Sequence, residues 1–216
     1  MHHRTKKRTN YGPWVRWFGR TMLRLCGWRL EGEKPPVDKM VIVAAPHNTN
    51  WDLPFTLLAA MGFGIPAVFT IKDWWFFWPI GPIMYWCGGI PIDRSKSANT
   101  VGQLVEAFDE SEKMFLVIPP EGTRKQVKYW KLGFYWIAVG ANVPILLASI
   151  DYKKRVVCLA DLVYPSGNFA QDFPKIREFY TKNVGYTPDY DASKLPMAEK
   201  VFLKAAEPAC NATPST

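Results

Sequence analysis

Short uncharged apolar runs that end in polar clusters constrain this chain more than any other feature. Residues 40–45, 66–71, 114–118 and 144–150 carry no charge and are too short for ordinary helices. They read as strands buried on both faces, the pattern of a parallel sheet. Residues 89–93 read as a shorter strand and 156–162 as an edge strand. Helical periodicity fills the intervals: residues 13–30, 53–62, 98–112, 132–141, 172–183 and 194–206. In the third of these Val101, Leu104, Val105 and Phe108 face inward. The spacing predicts an α/β fold: a single domain with a mostly parallel central sheet flanked by helices, preceded by an N-terminal amphipathic helix. Polar clusters at several strand ends predict one active site at the edge of that sheet.

Charge is placed unevenly. The chain carries 27 basic and 19 acidic groups. Arg4, Lys6, Lys7, Arg8, Arg16, Arg20, Arg24 and Arg29 fall in the first thirty residues, which hold no acid. The rest is neutral, so the positive field belongs to the N-terminus. Residues 1–30 are expected to form a basic arm and an interfacial helix, 31–207 the main domain, and 208–216 a disordered tail. On that helix Trp14, Trp17, Phe18, Thr21, Met22, Leu25 and Trp28 share one face, while Arg16, Arg20 and Arg24 stack on another. Such a face suits a bilayer interface, and it suits docking onto a core equally.

Three uncharged stretches, 53–71, 74–92 and 132–150, are nominally long enough to span a bilayer. Interior prolines interrupt all three: Pro54 and Pro66, then Pro79, Pro82 and Pro91, then Pro144. The first and last read as a buried helix followed by a buried strand, and no spanning helix is expected. Residues 74–88 are expected to be irregular or short-helical, and the aromatics from Trp74 to Trp78 cannot all point inward. Cys26, Cys87, Cys158 and Cys210 are scattered, without metal-ligand spacing or a disulfide framework. No signal peptide is visible, because Arg16, Arg20 and Arg24 interrupt any apolar core.

His47 is the one histidine beyond position 3, and Asp52 follows in His47-Asn-Thr-Asn-Trp-Asp52. On a continuous helix the two would diverge by about 140°. They meet only across a turn, with Thr49 and Asn50 supplying turn chemistry and Asn50 or Asp52 capping the next helix. The aspartate then holds one ring nitrogen and leaves the other to abstract a proton. The plain alternative is a surface histidine beside a capping aspartate. Arg94, after the 89–93 strand, and Arg124, in Glu121-Gly122-Thr123-Arg124, place guanidiniums at strand ends, where they can grip phosphate. Lys72 ends another strand and is a third candidate. Each also reads as an ordinary polar turn or surface group.

Four ordered blocks resemble the lysophosphatidic acid acyltransferase-like (glycerolipid) acyltransferases. They are Ala45-Pro-His47-Asn-Thr-Asn-Trp-Asp52, Gly89-Ile-Pro-Ile-Asp-Arg94, Ile118-Pro-Pro-Glu121-Gly-Thr-Arg-Lys125 and Val143-Pro144-Ile-Leu-Leu-Ala-Ser-Ile150. The resemblance covers roughly residues 40–150. It implies that His47 is the general base and Asp52 its orienting partner. It implies that Arg94, Glu121, Gly122, Thr123 and Arg124 bind a phosphate-bearing acceptor, and that Pro144 shapes the acyl-donor side. Pro120 before Glu121, Lys125 in place of the usual serine, and Pro46 before His47 depart from the family pattern.

The implied reaction is acyl transfer from an acyl-CoA or acyl carrier protein thioester to a lysophospholipid hydroxyl, with 1-acyl-glycerol-3-phosphate giving phosphatidic acid. No cofactor or metal is expected. The chain holds no G-x-S-x-G elbow, so the acceptor hydroxyl is expected to attack directly. The expected setting is the cytoplasmic side of a membrane, with peripheral attachment to an anionic surface. Another lysolipid acceptor is the alternative within this chemistry. A nucleic-acid-binding module is the alternative outside it, and it is disfavoured because basic and aromatic residues interleave only near the N-terminus.

Overall fold

Strands buried on both faces need apolar side chains in both directions, and this sequence supplies them. In the computed structural model, residues 11–47, 49, 51–72, 74, 76–86, 88–92, 100–123 and 130–183 are described. The basic arm to residue 10, the 194–206 helix and the C-terminal tail lie outside them. The strands are β1 (Arg29–Glu31), β2 (Lys39–Ala45), β3 (Ala67–Lys72), β4 (Gly89–Ile92), β5 (Met114–Ile118), β6 (Ile145–Asp151) and β7 (Val156–Val163). They form one sheet in the order β1-β7-β6-β2-β5-β3-β4, in which only the β6–β7 pairing is antiparallel. The helices are α1 (Pro13–Leu25), α2 (Asp52–Phe63), α3 (Ile80–Trp86), α4 (Thr100–Glu110), α5 (Gly133–Gly140) and α6 (Phe169–Asn183). The fold is the expected single α/β domain.

The strand pleat splits the core in two. Met40, Ile42, Phe115, Val117, Leu146, Ala148 and Ile150 meet Leu23 of α1 and Ala59, Ala60 and Phe63 of α2 on one face. Val41, Val43, Leu116, Ile145 and Leu147 meet Leu104 and Phe108 of α4, Phe134, Ile137 and Ala138 of α5, and Phe173, Ile176 and Tyr180 of α6 on the other. β2 lies at the centre, with β5 and β6 as parallel neighbours. Every residue of β6 is buried. Among the described residues no helix is long and apolar enough to cross a membrane.

Three sequence expectations need correction. The first helix stops at Leu25, five residues before its expected end. Gly27 takes a left-handed φ of 76°, the Gly27 N–H donates to Arg24 O at 2.9 Å and the Trp28 N–H to Leu23 O at 2.8 Å. This paired closure needs a residue tolerant of positive φ, and Gly27 supplies it. Trp28 therefore leaves the helical face and is buried with Leu23. The freed residues 29–31 become β1, which pairs with β7 in the register Arg29↔Val156. β7 is accordingly an interior strand, and the expected boundary at residue 30 falls inside β1.

Periodicity alone leaves open how α1 docks. Gly19 and Leu23 are its buried residues. A Cβ on Gly19 would lie 2.6 Å from Leu58 O and 2.7 Å from Gly62 N, so α1 and α2 touch nearly backbone to backbone. Arg20 belongs to this contact, its Nε donating to Gly62 O at 2.9 Å. The aromatic face points the other way. Trp14 is 81% exposed, and Trp17, Phe18 and Leu25 are exposed with it.

Candidate active site

Parallel strands converge their C-terminal ends on one edge, and the loops leaving β2 and β5 meet there. Val43 pairs with Ile118, so these two loops start side by side. A cis Ala45–Pro46 peptide leads into His47, and α2 begins at Asp52 after a short turn. His47 Nδ1 lies 3.0 Å from Asp52 Oδ2. The turn separating the pair on the chain thus brings the two side chains together.

Asp52 is 2% exposed and well supplied with donors. The Thr49 N–H donates to Oδ2 at 2.8 Å and the Thr49 hydroxyl to Oδ1 at 3.0 Å. The Tyr152 hydroxyl donates to Oδ1 as well. Burial acts to raise the Asp52 carboxyl, but the hydrogen bonds from His47, Tyr152 and Thr49 outweigh it and hold the group below its ordinary range. Asp52 is the first residue of α2, one past the N-cap residue Trp51. Its carboxylate accepts from Thr49 on the turn before the helix. His47 is 29% exposed at its side chain. With Nδ1–H directed at Asp52, Nε2 carries the lone pair.

Glu121 reaches the same histidine from β5. It is 4% exposed, and Oε1 accepts from the His47 N–H at 3.3 Å. Oε2 has no partner among the described residues. Burial pushes the carboxyl up to about 7, against hydrogen bonds from its own N–H and that of His47. Gly122 follows with a left-handed φ of 64°. A Cβ there would lie 3.2 Å from Lys131 Nζ, and the Lys131 N–H donates to Pro120 O at 2.8 Å. Gly122 and Thr123 are exposed on this loop.

The other sequence-derived residues fall as follows. Lys72 closes β3, one strand beyond β5. Arg94 and Arg124 lie outside the described residues. Pro144 is not brought to this cluster. It precedes β6, with its carbonyl accepting from the Val41 N–H at 3.0 Å. The pairings Val41↔Ile145 and Ala45↔Ser149 put it five residue steps, roughly 16 Å, from the edge that carries His47. Lys131 and Tyr152 were missed. Tyr152 had a usable signal, since it is a polar residue directly beyond a buried run, as His47 and Lys72 are. Among the described residues no group of three or more His, Cys, Asp or Glu side chains could hold a metal ion.

A family model described as Acyltransferase matches residues 28–150, more than half of the sequence. The chain belongs to the acyltransferase family. A search of curated proteins finds no match. Among solved structures, this acyltransferase is similar to the crystal structure of the 1-acyl-sn-glycerophosphate (LPA) acyltransferase PlsC from Thermotoga maritima. That likeness has a TM-score of 0.56 at 18% identity, over 78% of this chain and 76% of that one. The match is one of fold. The family match includes the segments that carry His47, Asp52 and Glu121.

Proposed function

We propose that this acyltransferase moves a fatty acyl group from an acyl-CoA or acyl carrier protein thioester to the free hydroxyl of a lysophospholipid, with 1-acyl-glycerol-3-phosphate as acceptor. The observation that carries the reading is the contact of His47 Nδ1 with Asp52 Oδ2 at 3.0 Å, which leaves Nε2 as the base. The acceptor hydroxyl gives its proton to Nε2 while its oxygen attacks the thioester carbonyl carbon. The tetrahedral intermediate then expels the thiolate, to which the imidazolium returns the proton, and the ester is released. Asp52, kept ionised by its donors, steadies the imidazolium.

A phosphate-bearing acceptor suits the same edge of the sheet. Lys72 ends β3, Arg94 and Arg124 come after β4 and β5 in the sequence, and Gly122 and Thr123 are exposed on the loop after β5. Glu121 is better suited to holding the His47 backbone, from which it accepts a hydrogen bond, than to facing a phosphate, which it repels whenever it is ionised. The test is acyl transfer by purified protein against a panel of lysolipids. His47→Ala should lower kcat by about 10²–10⁴-fold, the usual loss on removing a general base. A folded variant with the wild-type rate would remove the dyad from the reaction. Turnover of phosphate-free acceptors in preference to lysophosphatidic acid would reassign the substrate.

Long-chain acceptors stay in a bilayer, and the reading includes attachment to an anionic membrane surface such as the cytoplasmic leaflet. The exposed strip of Trp14, Trp17, Phe18 and Leu25, with Arg24 beside it, supports this. Removing the N-terminus is a poor test, because Leu23 and Trp28 belong to the core. Trp14→Ser/Trp17→Ser/Phe18→Ser leaves the docked face intact. It should weaken co-sedimentation with anionic vesicles by about 10-fold or more. Unchanged binding would mean that α1 is not the membrane contact.

A further inference from the structure

Tyr152 reaches the carboxylate oxygen of Asp52 that His47 does not. It follows β6, the neighbour of β2, so both leave the same edge of the sheet. Its ring is held edge-on by Trp28, with centroids 5.1 Å apart, and by Phe55 at 6.2 Å. Trp28 is itself fixed by the closure of α1. The Tyr152 hydroxyl donates to Asp52 Oδ1 and lies 3.2 Å from Thr49 Oγ1. The two oxygens of Asp52 are thereby divided. Oδ1 takes the two hydroxyls, and Oδ2 takes His47 Nδ1 and the Thr49 N–H.

We propose that Tyr152 is a positioning residue for the His47–Asp52 pair: its hydroxyl fixes the carboxylate with Oδ2 toward the imidazole and draws off part of its charge. This rests on the reading of His47 as the base. Burial and the bond to Asp52 push the phenol well above the usual tyrosine range, so it stays a donor at working pH. Two effects follow from losing the hydroxyl. The carboxylate gains rotational freedom, and the imidazole is less often aimed at the acceptor. Charge also returns to Oδ2, which favours the protonated imidazole. The described groups facing that imidazole loop are Asp52 on its own loop and Glu121 from β5, and neither is altered by the substitution.

The experiment compares wild type, Tyr152→Phe, His47→Ala, Asp52→Asn and the Tyr152→Phe/Asp52→Asn double variant. Transfer from a long-chain acyl-CoA to lysophosphatidic acid in mixed micelles is followed across pH. Tyr152→Phe keeps the ring between Trp28 and Phe55, and circular dichroism checks its fold. It should lower kcat on the order of 10-fold, the scale of an outer partner's loss, with KM unchanged. The acid limb of kcat/KM should move to higher pH. In the Asp52→Asn background the same change should add about 2-fold or less, because the hydroxyl acts through that carboxylate. Where Asp52→Asn falls below detection, the pH profile of the single variant decides. Thr49→Val, which removes the other hydroxyl from Oδ1, should move the acid limb the same way. An unmoved acid limb in Tyr152→Phe, or full additivity with Asp52→Asn, would overturn the proposal. If His47→Ala keeps the wild-type rate, the underlying reading falls. If His47→Ala is inactive and Tyr152→Phe behaves as wild type, only the role of Tyr152 falls.

Discussion

The loop after β2 and the loop after β5 each bury one carboxylate against His47, and they treat it in opposite ways. Asp52 receives hydrogen bonds from a backbone N–H, two hydroxyls and the imidazole, and is held below the ordinary carboxylate range. Glu121 is buried too, but its carboxyl takes only a 3.3 Å bond from the His47 N–H, at Oε1, and a bond from its own N–H, and burial dominates. Glu121 is the more deeply enclosed of the two and has the fewer donors, so desolvation wins there, while at Asp52 a lighter desolvation is outweighed by the hydrogen bonds. An ionised Asp52 suits a partner for an imidazolium. A Glu121 that changes charge near neutrality suits a support whose essential act is to accept from a backbone N–H.

Asp52→Asn is the sharpest way to break this contrast. The amide offers one acceptor oxygen where the carboxylate offered two. His47, Thr49 and Tyr152 would then compete for it, and the imidazole loses both its charge partner and its fixed tautomer. In the triad template the equivalent change lowers kcat about 10⁴-fold. With its support shared by Thr49 and Tyr152, Asp52→Asn should lower kcat about 10³–10⁴-fold and leave KM within a few-fold. Stopped-flow or radiolabelled transfer on a variant verified as folded provides the check. A loss confined to KM would show that Asp52 binds substrate and does not orient a base.

How far the sequence foretold these two loops follows from what stabilises each part. Strands β2, β3, β5 and β6 were readable because strands covered on both sides must be apolar throughout, and 40–45 and 114–118 differ from the observed bounds by at most one residue. β1 was not readable, because Arg29-Leu30-Glu31 has no pattern of its own and exists through pairing with β7. Its signal lay in Gly27, read as one more helical residue when it was the stop. Amphipathic periodicity was ambiguous for a related reason. Phe169, Phe173, Ile176 and Tyr180 of α6 are buried, while Trp14, Trp17, Phe18 and Leu25 of α1 are exposed on an equally regular stripe. Periodicity tells that a face is apolar, and only Gly19 hinted that α1 would dock by its other side. In the site, the His47–Asp52 contact followed from spacing plus a turn. The contact of Tyr152 with Asp52 spans 100 residues, and no local spacing reports it.

The smaller effect expected of Glu121 sharpens the contrast through stability. Its carboxyl is raised from 4.5 to about 7 in the folded chain. A raised carboxyl favours the fold fully below pH 4.5, and that contribution is lost as pH rises through about 7. Asp52, being lowered, acts the other way: its contribution is present above 3.8 and is lost as pH falls below the folded value. Glu121→Gln keeps an oxygen for the His47 N–H and never ionises. The variant and wild type should therefore have similar melting temperatures at pH 5 and diverge as pH rises, with Gln the more stable at pH 8. The gap is at most on the order of 3 kcal/mol, from 1.36 kcal/mol for each pH unit of displacement. Thermal melts of both proteins at a series of pH values isolate this one group, because every other titration is shared. Because the backbone bond survives, kcat near neutrality should stay within about 10-fold of wild type. Parallel stability curves across pH 5–8 would mean that Glu121 is solvated in the folded protein. A loss as large as that of Asp52→Asn would mean that its charge, and not its hydrogen bond, serves the reaction.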